Sequence, residues 1–365
     1  MKLGIIGGAG LLGATTAFCV ACEGFVDEII LTDIRENVAQ SHAMDIGQAV
    51  CETSATQLSV GSLDDIKFCD IVLNAAGIPE MSTASRDDYL NGNIAIYREL
   101  ADKIKRWGTA PVILSATNPI DVINYSLYKM TGLPREKFVG FCRNDTLRFK
   151  WAASKETGIP ASQLDALVIG EHGDGQVPVF SRLRRKGTSA NIDAGTDLDI
   201  GADINADPNI NVGAHLDSGV ALDSGVTLDS VVALDSGVAR DSGADHEAGT
   251  TLDLDDDAKS RVLNTVKTWF ADYQKLDSGR SSGWTSGVGL CKIIKAILSE
   301  SGEVFPCSVI PDGEYGLSGV SIGLPVRLGR SGVKEIVSVN LADDEKANLL
   351  SACEKIRRLT ILCNT

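Results

Sequence analysis

The stretch VIGEHGDGQVP, residues 168–178, places His172 between acids in a glycine-rich loop directly after an apolar run, and 27 residues earlier GFCRNDTLRFK carries Asp145 and Arg148 three positions apart. At that spacing the carboxylate and the guanidinium share one face of a helix start. A histidine titrating near neutrality donates a proton in one direction of a reaction and accepts it in the other. A carboxylate beside it orients the ring and stabilises the imidazolium, and a planar guanidinium binds an acid through two parallel hydrogen bonds. The three residues therefore supply a proton relay and an anchor for an anion. Of the other histidines, His42 reads as a helix-surface residue, while His215 and His246 fall in an acidic segment.

A second group of residues supplies a carrier. GIIGGAGLLG sets glycines at 8, 10 and 13 as GxGxxG between an apolar strand and a helix, and Asp33 follows 20 residues beyond Gly13 at the end of the next strand, EIILTD. Glycines there let the backbone of Gly8, Gly10, Leu11 and Gly13 approach a pyrophosphate, which the helix N-terminus stabilises. Asp33 can accept both ribose hydroxyls and would repel a 2′-phosphate, which favours NAD over NADP. The plain alternative is a tight strand–helix turn. With a hydride carrier present, His172 becomes the proton donor for the alkoxide that forms when a carbonyl is reduced.

The elements that must hold these groups alternate. KLGIIG, EIILTD, DIVLNAA (70–76) and PVILSA read as strands, with helices over GAGLLGATTAFCVAC and 36–51. From 88 to 107, Leu90, Ile94, Tyr97, Leu100, Ile104 and Trp107 recur at helical spacing and predict one buried face. Such alternation implies an α/β, Rossmann-type parallel sheet with helices on both faces, over 1–142. From 143 to 365 the pattern is mixed: a helix at 146–157, a strand LDALVIG, the EHGDG loop, helices near 259–275 and 287–300, strands within 303–340 and an amphipathic helix from 343. This predicts an α+β substrate domain, interrupted by an acidic insertion over 190–258.

The net charge of −15 comes from that insertion: it holds 16 acids and one base, Arg240, and the rest of the chain has 33 of each sign. Without a basic stripe the chain is a poor candidate for nucleic acid or anionic lipid. From 216 the insertion repeats LDSGVA-like hexapeptides, with Leu or Arg at 216, 222, 228, 234 and 240, and no aromatic occurs from 181 to 268. So few large apolar groups do not readily offset ordering entropy, which favours disorder; a small β-solenoid and a weak calcium-binding surface are the other readings. No metal is expected at the catalytic residues. Nine cysteines without framework spacing point to a reducing cytosol, and Cys19 and Cys22, a CxxC inside a helix, read as packed thiols. Lys2 and the apolar run to FCVAC imitate a secretory signal, but five glycines interrupt it, and no other stretch reaches the length of a membrane span.

GGAGLLG, LTD, the AG…SR loop with Asn93 seven residues past Arg86, ATNP, NDTLR, IGEHGDG, GWTSG and GEYGLSGVSIGLPVRLG, in that order, resemble the L-lactate/malate dehydrogenase family over nearly the whole chain outside the insertion. The resemblance implies NAD-dependent, reversible hydride transfer between NADH and a small 2-oxo acid, with His172 as acid/base, Asp145 as its partner and Arg148 gripping the substrate carboxylate. It further implies that Asn93 and Asn118 contact cofactor or substrate, that Arg86 polarises the carbonyl when its loop closes, that Thr285 lines the pocket, and that the protein is a homodimer or homotetramer.

Some residues depart from that pattern. Glu80 stands three positions after Gly77, where similar enzymes carry arginine for malate or glutamine for lactate. A carboxylate there would repel the distal carboxylate of oxaloacetate by about 1 kcal/mol or more, so Glu80 is expected to face a cationic or hydrogen-bond-donating side chain. With Glu80 turned to solvent the chain would instead be a malate dehydrogenase. Gly287 and Gly289 after Thr285 read as room for a side chain larger than methyl, Asn144 replaces the usual leucine, and Gly175 stands where serine is common. Two rival readings exist. Gly7, Gly10 and Gly13 with Ser115, Tyr125 and Lys129 fit a short-chain dehydrogenase, which leaves Asp145, Arg148 and His172 unexplained. A retired, NAD-binding sensor would use the acidic segment to recruit a partner.

Overall fold

A computed structural model describes residues 1–78, 86–187, 249–278 and 282–363, apart from the side chains of 86–91, 362 and 363. Glu80, the side chains of Arg86 and Leu90, the acidic hexapeptides and His215 and His246 lie outside the described residues. The chain divides into one unit of Met1–Lys186 with Gly249–Thr365 and a second of Gly187–Ala248.

The centre of the first unit is built from short apolar strands: β4, β5 and β6 are wholly buried, β1 and β2 are buried beyond their first residue, and the edge strand β3 is only half-buried, as expected for parallel strands covered on both faces at the centre of a sheet. β1 (Lys2–Ile6), β2 (Glu28–Thr32), β3 (Gln57–Val60), β4 (Ile71–Asn74), β5 (Val112–Ser115) and β6 (Phe138–Phe141) pair in parallel in the order β3-β2-β1-β4-β5-β6. Between them run α1 (Leu11–Glu23), α2 (Glu36–Val50), α3 (Arg86–Trp107) and α4 (Ile120–Thr131). α1 ends at Gly24 and α4 at Gly132, both left-handed, a backbone conformation that glycine adopts without a Cβ penalty. On α3 the expected face is buried at Ile94, Tyr97, Leu100, Ile104 and Trp107.

After β6 the chain enters α5 (Arg143–Thr157), β7 (Leu164–Asp165), β8 (Val168–Gly170), β9 (Gln176–Pro178), β10 (Arg184–Arg185), β11 (Thr250–Thr251), α6 (Asp256–Lys275), α7 (Gly283–Ser299), β12 (Val304–Val309), β13 (Ile322–Gly329), β14 (Gly332–Ile336) and α8 (Asp343–Cys363). β12, β13, β8 and β9 extend the same sheet antiparallel beyond β6, so the α/β and α+β halves share one sheet. The expected strand 164–170 is broken at Ala166–Leu167 because its two ends join different sheets: β7 pairs with β10 in a small sheet, β8 with β13 in the large one. Residues 249–258, read from the sequence as the end of the insertion, belong to the first unit: Leu252 and Leu254 pack on a buried cluster, and Asp255 caps α6 by accepting from the Ala258 N–H at 2.7 Å.

β1 is flanked by β2 and β4, so the strand order reverses there, and the C-terminal ends of the parallel strands β1, β4, β5 and β6 lie along one edge of the sheet. Open α/β sheets bind ligands at that place.

Candidate active site

The turn from β1 into α1 is shaped by two glycine requirements. Gly7 has φ +86, and the N–H groups of Gly7 and Gly8 both donate to the Thr32 carbonyl of β2, at 2.9 and 3.1 Å. A Cβ on Gly13 would lie 2.3 Å from the Gly7 carbonyl oxygen, so only glycine lets α1 start this close to the strand. Gly10 is the N-cap and no side chain caps α1, leaving its first-turn N–H groups for an anion; Leu11 opens the helix. Asp33, at the end of β2, accepts from the Ala9 N–H at 3.0 Å and from the Arg35 N–H at 2.9 Å, so its carboxylate borders the same turn. These features fit a dinucleotide. The strict conformational demand at Gly7 is not part of the GxGxxG spacing.

α5 begins at Arg143, three residues earlier than its periodicity suggests, which puts Asp145 in the first turn. Asp145 is buried, with a different neighbour on each oxygen: His172 Nδ1 lies 2.6 Å from Oδ2, and Arg148 Nη1 donates to Oδ1 at 3.3 Å. The three residues singled out from the sequence thus meet on one carboxylate. The His172 side chain is 14% exposed. With Nδ1–H donating to Asp145, Nε2 is the atom free to exchange a proton, and among the described residues it has no hydrogen-bond partner. Burial lowers the imidazole pKa, but the charge and hydrogen bond of Asp145, with the charge of Asp121, outweigh it and hold the pKa above its ordinary value. Burial also lowers the Arg148 pKa, against the attraction of Asp145.

The loop carrying His172 is clamped by residues that the sequence does not flag. Asp121, buried in the first turn of α4, accepts the His172 main-chain N–H at 2.8 Å on Oδ2 and the Ser308 hydroxyl at 2.5 Å on Oδ1. Burial pushes its carboxyl up to about 6. Ser308 also touches Ser321 at 2.8 Å, and Asn124 donates to Ser321 at 3.0 Å while accepting from Ser115 at 3.0 Å, so a buried polar chain runs from β5 to the catalytic loop. Glu171 accepts from the Gly175 N–H at 2.8 Å and from Lys355 of α8 at 2.6 Å. The available signals are faint: one acid in the apolar run IDVIN, and Lys355, the second of two lysines on the last helix.

The remaining expected residues take varied places. Asn118 and Thr285 are exposed, at the end of β5 and in the first turn of α7. Asn93 is fully buried; it accepts from the Ile78 N–H at 2.8 Å and donates to the Asn118 carbonyl at 3.1 Å, so both its polar ends hold the protein together. The space expected at Gly287 and Gly289 is already filled: a Cβ would fall 2.4 Å from Thr15 Cγ2 and 2.7 Å from Phe141 Cζ, so these glycines seat α7 on α1 and β6. Asn144 donates to Ser286 at 2.6 Å and ties α5 to α7. In the short-chain reading Ser115 would be reactive, but it is fully buried and bonded to Asn124, while Tyr125 packs with Tyr128 at 5.9 Å. Of the CxxC pair, Cys19 is half-buried and Cys22 is exposed, so the expected packing holds only in part; partial burial is the main cause that raises both thiol pKa values. Among the described residues no helix is long and apolar enough to cross a membrane, and no cluster is placed to hold a metal ion.

Fold and site together define an NAD-dependent oxidoreductase acting on CH–OH groups. The chain belongs to the lactate/malate dehydrogenase family. Residues 1–140 match the family's NAD binding domain and residues 249–359 its alpha/beta C-terminal domain. Asp145, Arg148 and His172 fall between those two spans, in a stretch that full-length relatives cover. The malate dehydrogenase of Halobacterium salinarum is 29% identical over 358 residues, covering 97% of both chains. The L-lactate dehydrogenase of Clostridium perfringens (strain SM101 / Type A) is 26% identical over 357 residues, covering 98% of this chain and 95% of its own. The structure of the malate dehydrogenase from Archaeoglobus fulgidus in complex with NADH superposes with a TM-score of 0.74 at 25% identity, over the full length of both chains. Relatives of both names are thus similarly distant.

Proposed function

We propose that this chain is an L-2-hydroxyacid dehydrogenase that reduces a 2-oxo acid, or oxidises the matching 2-hydroxy acid, with His172 as the acid/base. The observation carrying the reading is the Asp145 carboxylate shared between the His172 ring and the Arg148 guanidinium. NAD, when bound, supplies or takes the hydride. His172 Nε2 gives the proton to the forming alkoxide and recovers it in reverse, Asp145 balances the imidazolium, and Arg148 holds the carboxylate next to the reacting carbon. Arg86 polarises the carbonyl, Asn118 and Thr285 line the site, and Asn93 keeps Ile78 and Asn118 in place.

Gly8, Gly10, Leu11, Gly13 and Asp33 hold the dinucleotide, within a nucleotide domain of about 1–142 and a substrate domain of 143–365, in a cytoplasmic homodimer or homotetramer. The substrate is monocarboxylic, because Glu80 disfavours a second negative charge. A second reading, malate dehydrogenase, is favoured by the name of the Halobacterium relative. A panel of 2-oxo acids with NADH, followed at the nicotinamide absorbance, tests all of this. Turnover of monocarboxylates ahead of oxaloacetate is expected; oxaloacetate as the best substrate would remove Glu80 from specificity, and silence across the panel would favour the sensor.

A further inference from the structure

An anchoring guanidinium binds well only if its plane is fixed before the ligand arrives. For Arg148 one edge is already used, Nη1 donating to Asp145, and among the described residues its other nitrogens meet no protein acceptor. The group also lies over an aromatic ring. Cζ of Arg148 lies 4.5 Å from the ring centroid of Trp269 on α6, and the indole is itself stacked with Tyr273 at 5.3 Å and an interplanar angle of 15°. Val262, Val266, Trp269 and Tyr273 follow one another at spacings of four, three and four, which is one stripe of a helix. The first two are buried against Phe149, Ala152 and Ala153 of α5. The stripe is therefore aliphatic where it forms core and turns aromatic where it passes the guanidinium.

We infer that Trp269 is a positioning residue of the anion anchor, its indole face setting the plane of Arg148 so that the guanidinium edge left free by Asp145 meets the substrate carboxylate in plane. This deepens the proposed function and rests on Arg148 as the anchor. Without the indole, the cation can turn its second nitrogen to Asp145 as well, which weakens the anchor and leaves the hydride and proton chemistry in place. A cation–π contact of this kind corresponds to about a 3- to 30-fold change in binding.

The test uses the full chain with NADH and pyruvate, or the fastest acid of the panel if pyruvate is slow. Trp269→Leu should raise KM for the acid by about 3- to 30-fold with kcat within about threefold and NADH affinity unchanged. Trp269→Phe, which keeps a ring face, should recover most of the loss, and Tyr273→Ala should raise KM by a smaller factor. An unchanged KM in Trp269→Leu, alongside a raised KM in Arg148→Leu, overturns the inference and spares the anchor. An unchanged KM in Arg148→Leu overturns the anchor itself. If Trp269→Leu does not fold, Tyr273→Ala decides: a KM equal to that of the wild type counts against the inference.

Discussion

The main-chain N–H of His172 donates to Asp121 at 2.8 Å while its ring is held by Asp145 at 2.6 Å, so carboxylates from two helices fix one histidine at two points. Asp121 lies three residues after Asn118, in the first turn of α4, so the helix start that follows β5 also clamps the loop carrying His172. Asp121→Asn keeps an acceptor for the N–H and removes a charge that helps to raise the imidazole pKa. Asp145 and Arg148 remain as the other charges felt at the ring. In the proposed reaction, reduction of a 2-oxo acid draws its proton from His172, so the alkaline limb of the kcat/KM profile should move to lower pH in the variant. A limb that stays in place would show that the Asp121 charge is not felt at the ring.

The same carboxyl makes stability depend on pH. Its folded pKa of about 6 lies above the ordinary value of 3.8, so the folded state binds the proton more tightly than the unfolded chain. The resulting stabilisation is full below about pH 4 and is lost as pH rises through about 6. Urea unfolding of the wild type should therefore lose, relative to Asp121→Asn, on the order of 3 kcal/mol between pH 4 and pH 7. Parallel pH dependences for the two proteins would contradict it.

The meeting of Asp145, Arg148 and His172 is legible in the sequence because Asp145 and Arg148 are neighbours on one helix turn and His172 sits in a loop whose glycines and acids mark it. What stays hidden depends on contacts between distant segments. No local pattern tells that Asp121 receives an N–H from 51 residues away, or that Trp269 crosses to Arg148 from another helix. The helices starting at Asp256 and Gly283 begin earlier than their apolar spacing indicates, because that spacing registers the buried face while the Asp255 cap and the packing of Gly283 and Gly287 set their first turns. The glycines at 287 and 289 mislead for a related reason: an absent side chain can mean open space or close approach, and only the neighbours Thr15 and Phe141 decide which.

His172→Asn removes the proton donor and should lower kcat by about 100- to 10,000-fold with NADH binding intact, measured by turnover and by quenching of protein fluorescence. Tyr125→Phe, on a ring packed against Tyr128, should leave kcat within about twofold, the range of a side chain that touches no reacting atom. The reverse pattern would restore the short-chain mechanism.

Gly13→Ala places a methyl 2.3 Å from a main-chain carbonyl, Gly7 O, with no flexible side chain to yield. α1 must shift away from β1, and both stability and the geometry of the phosphate-binding turn suffer. A loss of about 1–3 kcal/mol in unfolding free energy is expected, with weakened NADH binding in titration. Wild-type affinity for NADH in a folded variant would mean that the approach of α1 to β1 does not shape the turn for the dinucleotide.

Glu80→Arg tests substrate choice through charge. The proposal places the Glu80 carboxylate beside the substrate side chain, where it repels a distal carboxylate; arginine replaces that repulsion with attraction and a bidentate pair. Removing about 1 kcal/mol of repulsion and gaining a comparable attraction should raise the ratio of kcat/KM for oxaloacetate over pyruvate by about tenfold or more. With Arg148 in its proposed role on the carboxylate common to both acids, the ratio cancels any general loss in the variant and reports the side-chain end alone. An unchanged ratio would place residue 80 toward solvent and return malate as the substrate to be tested first.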